Sequence, residues 1–310
     1  MNELKPSNQT KLFGLNRYIA EFINLYDNDR LPPKILLSGQ KGLGKSTLAY
    51  HLINYILSKE EEFKYDFDKF EIDPNNHSFK LTQNRSNTNL TVIDVDGEKK
   101  TIDINQIREL INNLNKSSFN EKPRFVLIDN IEYLNKNSIN ALLKILEEPN
   151  KNIYFILINN NKKVLSTLLS RCINFKINLN NKECLNIANK LLNNELHETI
   201  NNDLLHYYLT PGYIYNLIEL GKKNNYDLYN LNLKELLEII INENHFKKEN
   251  SFKYMFFDLI ELYFRKINLT YNENIDKKYS YFLKKISYTK RFNLDEETLL
   301  MEFKDLVLNG

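Results

Sequence analysis

Lys34-Ile35-Leu36-Leu37-Ser38 runs straight into Gly39-Gln40-Lys41-Gly42-Leu43-Gly44-Lys45-Ser46, and Thr47 to Leu57 then carries Leu48, Leu52, Ile53 and Ile56 at helical spacing. The order is strand, loop, helix. Glycines at these positions let backbone N–H groups turn inward and approach phosphate oxygens, where side chains would obstruct them. Lys45 then reaches the β- and γ-phosphates, Ser46 offers its hydroxyl to magnesium, and the helix that starts there presents its positive end to the anion. Gly39 through Thr47 is therefore predicted to hold ATP or ADP with Mg2+. The pattern is strong for binding and silent on hydrolysis.

Two further apolar runs, Phe125 to Ile128 and Ile153 to Ile158, lack polar alternation and read as buried parallel strands. Asp129 ends the first, where a carboxylate can meet the shell of the magnesium ion. The next position in a hydrolysing site is expected to hold a glutamate, and here it holds Asn130, which can bond to water but cannot take its proton. Glu132 stands two residues further on as a substitute of undetermined reach. Asn159 follows the second run and is placed beside the γ-phosphate. Between the runs lies one helix with Ile139, Leu142, Leu143 and Leu146 at helical spacing, capped by Asn135 or Asn137 and stopped by Pro149. Strands alternating with helices predict an open α/β sheet whose ligand lies beyond the strand C-termini.

Thr91 to Val95 and Thr101 to Ile104 flank Asp96-Gly97, a tight-turn dipeptide, and predict an inserted hairpin followed by a helix from about Asn105 to Leu114. Val164, Leu165, Leu168 and Leu169 predict a helix ending at Ser170-Arg171-Cys172, with the Arg171 guanidinium at the rim. Beyond Phe175-Lys176-Ile177 the strand signal fades. Asn181 to Gly221 reads as a small helical unit interrupted at Pro211-Gly212. A third region from about Leu231 carries broad apolar helix faces, one with Phe252, Phe256, Ile260 and Phe264, another with Leu299, Leu300, Phe303 and Val307.

At 310 residues the chain is long enough for two or three domains with real cores. Asn, Lys and Ile dominate, which reads as an AT-rich coding sequence writing Asn at tolerant surface positions. A net charge of +2 does not announce a nucleic-acid binder. Two cysteines, Cys172 and Cys184, cannot make a four-thiolate zinc site and fit a reducing, cytoplasmic setting. No stretch approaches the length of a membrane span.

The loop, the segment Asn140-Ala141-Leu142-Leu143-Lys144-Ile145-Leu146-Glu147-Glu148-Pro149 and Ser170-Arg171-Cys172, in this order and spacing, resemble the clamp-loader branch of the AAA+ ATPases, and within it the delta-prime type. The resemblance covers Leu12 to about Gly221. It implies an α/β P-loop AAA+ domain with a parallel sheet over 1–177, a small helical lid over 178–225 and a helical collar over 226–310. It also implies that Arg171 is an arginine finger given to ATP on an adjacent gamma/tau subunit, and that Asn159 is the sensor after the core strand. The implied partners are gamma/tau and delta subunits in a hetero-oligomer, the sliding clamp, and primed DNA met through its phosphates. Neither zinc nor a membrane is implied, since the four cysteines many such subunits carry are missing between Thr47 and Ile128; the predicted hairpin is expected to take that space. The catalytic acid and the arginine expected after Gly212 are missing as well, Tyr213-Ile214-Tyr215 standing there instead, so the chain is expected to hold nucleotide without hydrolysing it. The rival is an autonomous or gamma/tau-like ATPase acting on DNA.

Overall fold

The computed structural model describes residues 4–95, 101–116, 120–147, 152–160, 164–193, 195–205, 209–245, 250–268, 273–292 and 294–309. They form two compact units, residues 1–187 with 210–212 and residues 188–209 with 213–310.

The first unit is organised around a five-stranded, wholly parallel sheet: β1 (Lys34–Ser38), β2 (Leu90–Ile93), β3 (Arg124–Ile128), β4 (Ile153–Asn159) and β5 (Ile173–Lys176), in the spatial order β2-β3-β4-β1-β5. Its helices are α1 (Asn16–Asp27), α2 (Lys45–Leu57), α3 (His77–Gln83), α4 (Ile104–Leu114), α5 (Lys136–Glu147), α6 (Ser166–Leu169) and the first part of α7 (Asn181–Leu192), which passes into the second unit after Ile187. Alternate residues of one strand serve opposite faces. Ile35 and Leu37 of β1 meet Phe22 of α1 and Leu48 and Leu52 of α2 on one side, while Leu36 joins Ile107 and Leu110 of α4 and Leu142 and Leu146 of α5 on the other. Each such side chain, removed from water, contributes roughly 1.5–3 kcal/mol, enough for packing rather than local propensity to fix where each helix lies.

β1 lies between β4 and β5, which places its C-terminus at the reversal in strand order where ligands of open α/β sheets collect. Asn135 caps α5 by accepting the Ser138 N–H at 2.9 Å, as its spacing predicts. The helix runs to Glu147; Glu148 and Pro149 lie outside the described residues. The helix predicted to begin near Asn105 starts at Ile104, behind a capping box of Asp103 and Gln106.

The described residues do not form the predicted hairpin. Leu90–Ile93 is the parallel edge strand β2, and Ile102 makes a single parallel bridge to Leu134 instead of folding back on it. Asp96-Gly97 lies outside the described residues. Burial decides the outcome: Ile102 is fully enclosed and its carbonyl accepts the Ser138 hydroxyl at 2.9 Å, which ties the segment to the start of α5. The space between the phosphate loop and the acidic motif is taken instead by residues 58–83. There an antiparallel bridge between Asp66 and Glu71 precedes α3, and Tyr65, Ile72 and Phe79 form a small core against Tyr55. The helix expected over Val164 to Leu169 shortens to α6.

The second unit contains α8 (Leu196–Thr199), most of α9 (Pro211–Asn224), α10 (Leu233–Asn242), α11 (Asn250–Ile267), α12 (Glu273–Phe292) and α13 (Glu296–Phe303). Pro211 stands at the first helical position of α9, where its missing N–H and fixed φ are favourable, so the predicted interruption is a helix start. Phe264 packs against Phe282 and Phe303, joining the apolar faces of α11, α12 and α13. The side chain of Phe252 lies outside the described residues. No described helix is long and apolar enough to cross a membrane.

Candidate nucleotide site

The loop leaves β1 with its first residue still tied to the sheet, for the Gly39 N–H donates to the Asn159 carbonyl at 3.3 Å. Gly39 has φ +155° and Gly42 has φ +85°. A Cβ on Gly42 would stand 2.4 Å from Thr210 Oγ1, and one on Gly39 would stand 2.5 Å from the Ile177 carbonyl oxygen. Side chains at either place would be both strained and obstructed. Leu43 is buried beneath the loop, Gln40 and Lys41 are exposed, and Gly44 closes the turn in the left-handed region as the N-cap of α2. Thr47 is half-buried in the first turn.

Lys45 is 3% exposed, and its Nζ donates to the carbonyls of Gly39 at 3.0 Å and Gln40 at 2.6 Å. Burial pulls its pKa down to about 8, against the raising influence of Asp129 and Glu132. The Ser46 hydroxyl donates to Asp129 Oδ2. Burial pushes the Asp129 carboxyl up from its ordinary value; the Ser46 hydrogen bond opposes this and the nearby Asp94 charge reinforces it.

These groups fit a nucleotide carrying a divalent cation. The ammonium is turned onto backbone carbonyls that phosphate oxygens can replace, and a hydroxyl and a carboxylate already share one point. Among the described residues no group of three or more His, Cys, Asp and Glu could hold a metal. A cation beside Ser46 and Asp129 would take its other ligands from phosphate and water, the oxygen coordination that magnesium prefers.

Asn130 occupies the left-handed region at φ +55°, which Asn tolerates better than Glu. Its Nδ2 donates to Asp94 Oδ1 at 2.8 Å, and its Oδ1 accepts from Asn160 Nδ2 at 2.7 Å. Glu132 Oε2 accepts the Asn160 N–H at 3.3 Å. Asp94 and Asn160 were not among the residues singled out from sequence. Asp94 carried a signal, a carboxylate one residue past an apolar run, which the turn reading of Asp96-Gly97 obscured. Asn159 is buried at the end of β4, and the side-chain amide of its neighbour Asn160 donates to Asn130 of the acidic motif.

Arg171 follows α6, two residues before β5 begins. Its Nε and Nη2 both donate to Glu147 Oε1, the former at 3.0 Å, and Nη1 donates to the Thr167 carbonyl at 2.7 Å. In the second unit, Ile214 is fully buried and Tyr213 reaches the Met255 carbonyl at 3.4 Å, so helix packing fills the positions after Gly212.

Comparison with known proteins agrees with this architecture. The DNA polymerase III subunit delta' of Buchnera aphidicola subsp. Schizaphis graminum is 26% identical over 278 residues, 86% of this chain and 82% of that one. The subunit gamma of the same organism is 28% identical over 180 residues, 58% of this chain, so the chain spans about half, 47%, of that relative's length. A DNA polymerase III gamma subunit-related protein of Thermotoga maritima shares the fold, with a TM-score of 0.51 at 21% identity over 93% of this chain and 95% of that one. The family described as DNA polymerase III, delta subunit, matches residues 14–181, more than half of the chain, and the protein belongs to that family of clamp-loader AAA+ proteins.

Proposed function

We propose that the chain is a clamp-loader subunit of the delta-prime type, which helps load the sliding clamp onto primed DNA while adjacent gamma/tau subunits hydrolyse ATP. In this reading Gly39 to Thr47, with Asn159, hold ATP or ADP, and Ser46 and Asp129 hold its Mg2+. Arg171 is given in trans to a neighbour's nucleotide, where a guanidinium stabilises charge developing on the transferred phosphoryl group. The chain works in three parts, the nucleotide-binding domain, a lid to about residue 225 and a collar that assembles with gamma/tau and delta subunits. DNA is met through phosphates and without regard to sequence.

The observation that carries this reading is Asn130: where a hydrolysing site needs an acid, it has an amide bonded at both ends, to Asp94 and to Asn160. Reconstitution with candidate gamma/tau and delta chains tests it. Clamp loading should require this chain, and the chain alone should bind Mg-nucleotide without steady turnover.

One observation favours the rival, a gamma/tau-like ATPase. Asp94 puts a carboxylate beside the position that lacks one. Turnover by the isolated chain that disappears in Asp94→Asn would establish that rival.

A further inference from the structure

The guanidinium of Arg171 is held on both flanks. Glu147 Oε1 accepts from Nε at 3.0 Å and from Nη2, and the Thr167 carbonyl accepts from Nη1 at 2.7 Å, with Ser170 Oγ a weaker partner of Nη1 at 3.3 Å. The carboxylate touches the side of the fork. Its charge is thereby kept off the end of the fork, where Nη2 carries a second N–H that can meet an oxygen of a phosphoryl group.

Both ends of this contact are set in one core. Arg171 lies between the buried residues Leu168 and Cys172, and Glu147 follows Leu146, which is buried in the same cluster. The Leu146 carbonyl also accepts from Lys34 Nζ of β1, which pins the end of α5. A side chain mounted on such anchors keeps its direction better than one on a mobile loop.

Glu147 is not explained by local preference or by stability. A negative charge on the last residue of a helix meets the negative end of the helix dipole. An ion pair as exposed as this one, 31% for Arg171 and 55% for Glu147, adds little to folding. Around Arg171, moreover, Leu165, Leu169 and Ile173 leave apolar surface in water, at 52%, 41% and 55% exposure. Covered by a neighbouring subunit, that rim would exclude water from the guanidinium, where its orientation matters most.

We infer that Glu147 is the positioning residue of Arg171: it holds the flank of the guanidinium so that the end of the fork faces the phosphoryl group of a nucleotide on the adjacent subunit. The inference rests on the arginine-finger reading above. Glu147 touches no nucleotide and acts only through Arg171.

The test uses complexes reconstituted with gamma/tau and delta chains and verified by size, with ATPase measured in the presence of clamp and primed DNA. Glu147→Ala should lower kcat to within about twofold of the Arg171→Ala complex, leave the KM for ATP unchanged, and add nothing in the Arg171→Ala background. Glu147→Gln should keep most of the activity, because its amide oxygen still accepts from Nε and Nη2. Glu147→Asp, which retracts the same charge by one methylene, should lose activity, and it serves as the second variant if Glu147→Ala folds poorly. A normal kcat in Glu147→Ala and Glu147→Asp beside a lowered kcat in Arg171→Ala would overturn the positioning role and leave the finger standing. A raised kcat would show that Glu147 restrains Arg171, and a further loss on top of Arg171→Ala would show that it acts elsewhere; either overturns the inference. No loss in Arg171→Ala would remove the finger reading and this inference with it.

Discussion

Asn130 Nδ2 lies 2.8 Å from Asp94 Oδ1, so an amide at the end of one strand is bonded to a carboxylate just past the end of its neighbour. An acid is present beside the site, but it is not the residue that follows Asp129. Asn130→Glu alone is therefore expected to restore little hydrolysis. The glutamate would face Asp94 as a like charge, and the left-handed backbone at φ +55° would cost it about 1 kcal/mol relative to Asn. Single-turnover measurements on Asn130→Glu and on Asn130→Glu with Asp94→Asn check this, and only the double variant should gain.

The Lys45 pKa of about 8 gives nucleotide binding a pH dependence with a definite sign. Below pH 8 the ammonium is charged and affinity should be flat. Above it the free chain has lost the proton that phosphate oxygens require, so affinity should fall by up to about tenfold per pH unit. Calorimetry between pH 7 and 9.5 should also show proton uptake on binding at the alkaline end. A flat profile to pH 9.5 would mean that Lys45 does not bear on the phosphates.

The same burial makes Lys45 a cost to the fold. Its pKa is lowered on folding, so the unfolded chain holds the proton more tightly. The penalty is fully present below about pH 8 and is relieved as pH rises from there toward the ordinary lysine value. Lys45→Met should abolish nucleotide binding and yet raise stability near pH 7 by about 1–2 kcal/mol, less than the full desolvation cost because Asp129 loses a partner. Denaturant melts read it, and lower stability would show that Asp129 depends on Lys45 more than burial penalises it.

Gly42→Ala should fail on two counts, a positive φ and a Cβ 2.4 Å from Thr210 Oγ1. A loss of roughly 1–3 kcal/mol together with weakened nucleotide binding is expected. Thr210→Ala removes the obstructing oxygen and leaves the backbone strain, so the double variant should recover only part of the stability.

The strand-loop-helix around Gly39 to Ser46 and the buried runs at Phe125 and Ile153 were legible because fully apolar strands and a glycine loop leave few alternatives. The edge strand β2 was not. Leu90 and Thr91 are half-buried, Val92 is exposed and Ile93 is buried, a mixed pattern that suits a hairpin as well as a sheet edge, and the buried residue that settles the matter, Ile102, lies beyond the turn dipeptide. Composition misled in one respect. Many asparagines are not idle surface residues: Asn76, Asn135 and Asn232 cap helices, and Asn130, Asn193 and Asn225 hold left-handed conformations that most residues avoid. Within the site, Glu147 and Asn160 could not be read from spacing. Their meaning lies in contacts across 24 and 30 residues of chain.

The central claim is that this chain acts on a neighbour's nucleotide rather than on its own. It is tested most directly by ATPase of the reconstituted, size-verified complex in the presence of clamp and primed DNA, comparing Lys45→Met with Arg171→Ala. An arginine finger is worth roughly 10³ to 10⁵ at the site it serves, so Arg171→Ala should silence that site and lower total turnover, while Lys45→Met should leave turnover near that of the unaltered complex. Turnover that falls with Lys45→Met and is unchanged by Arg171→Ala would contradict the account and mark the chain as a motor in its own right.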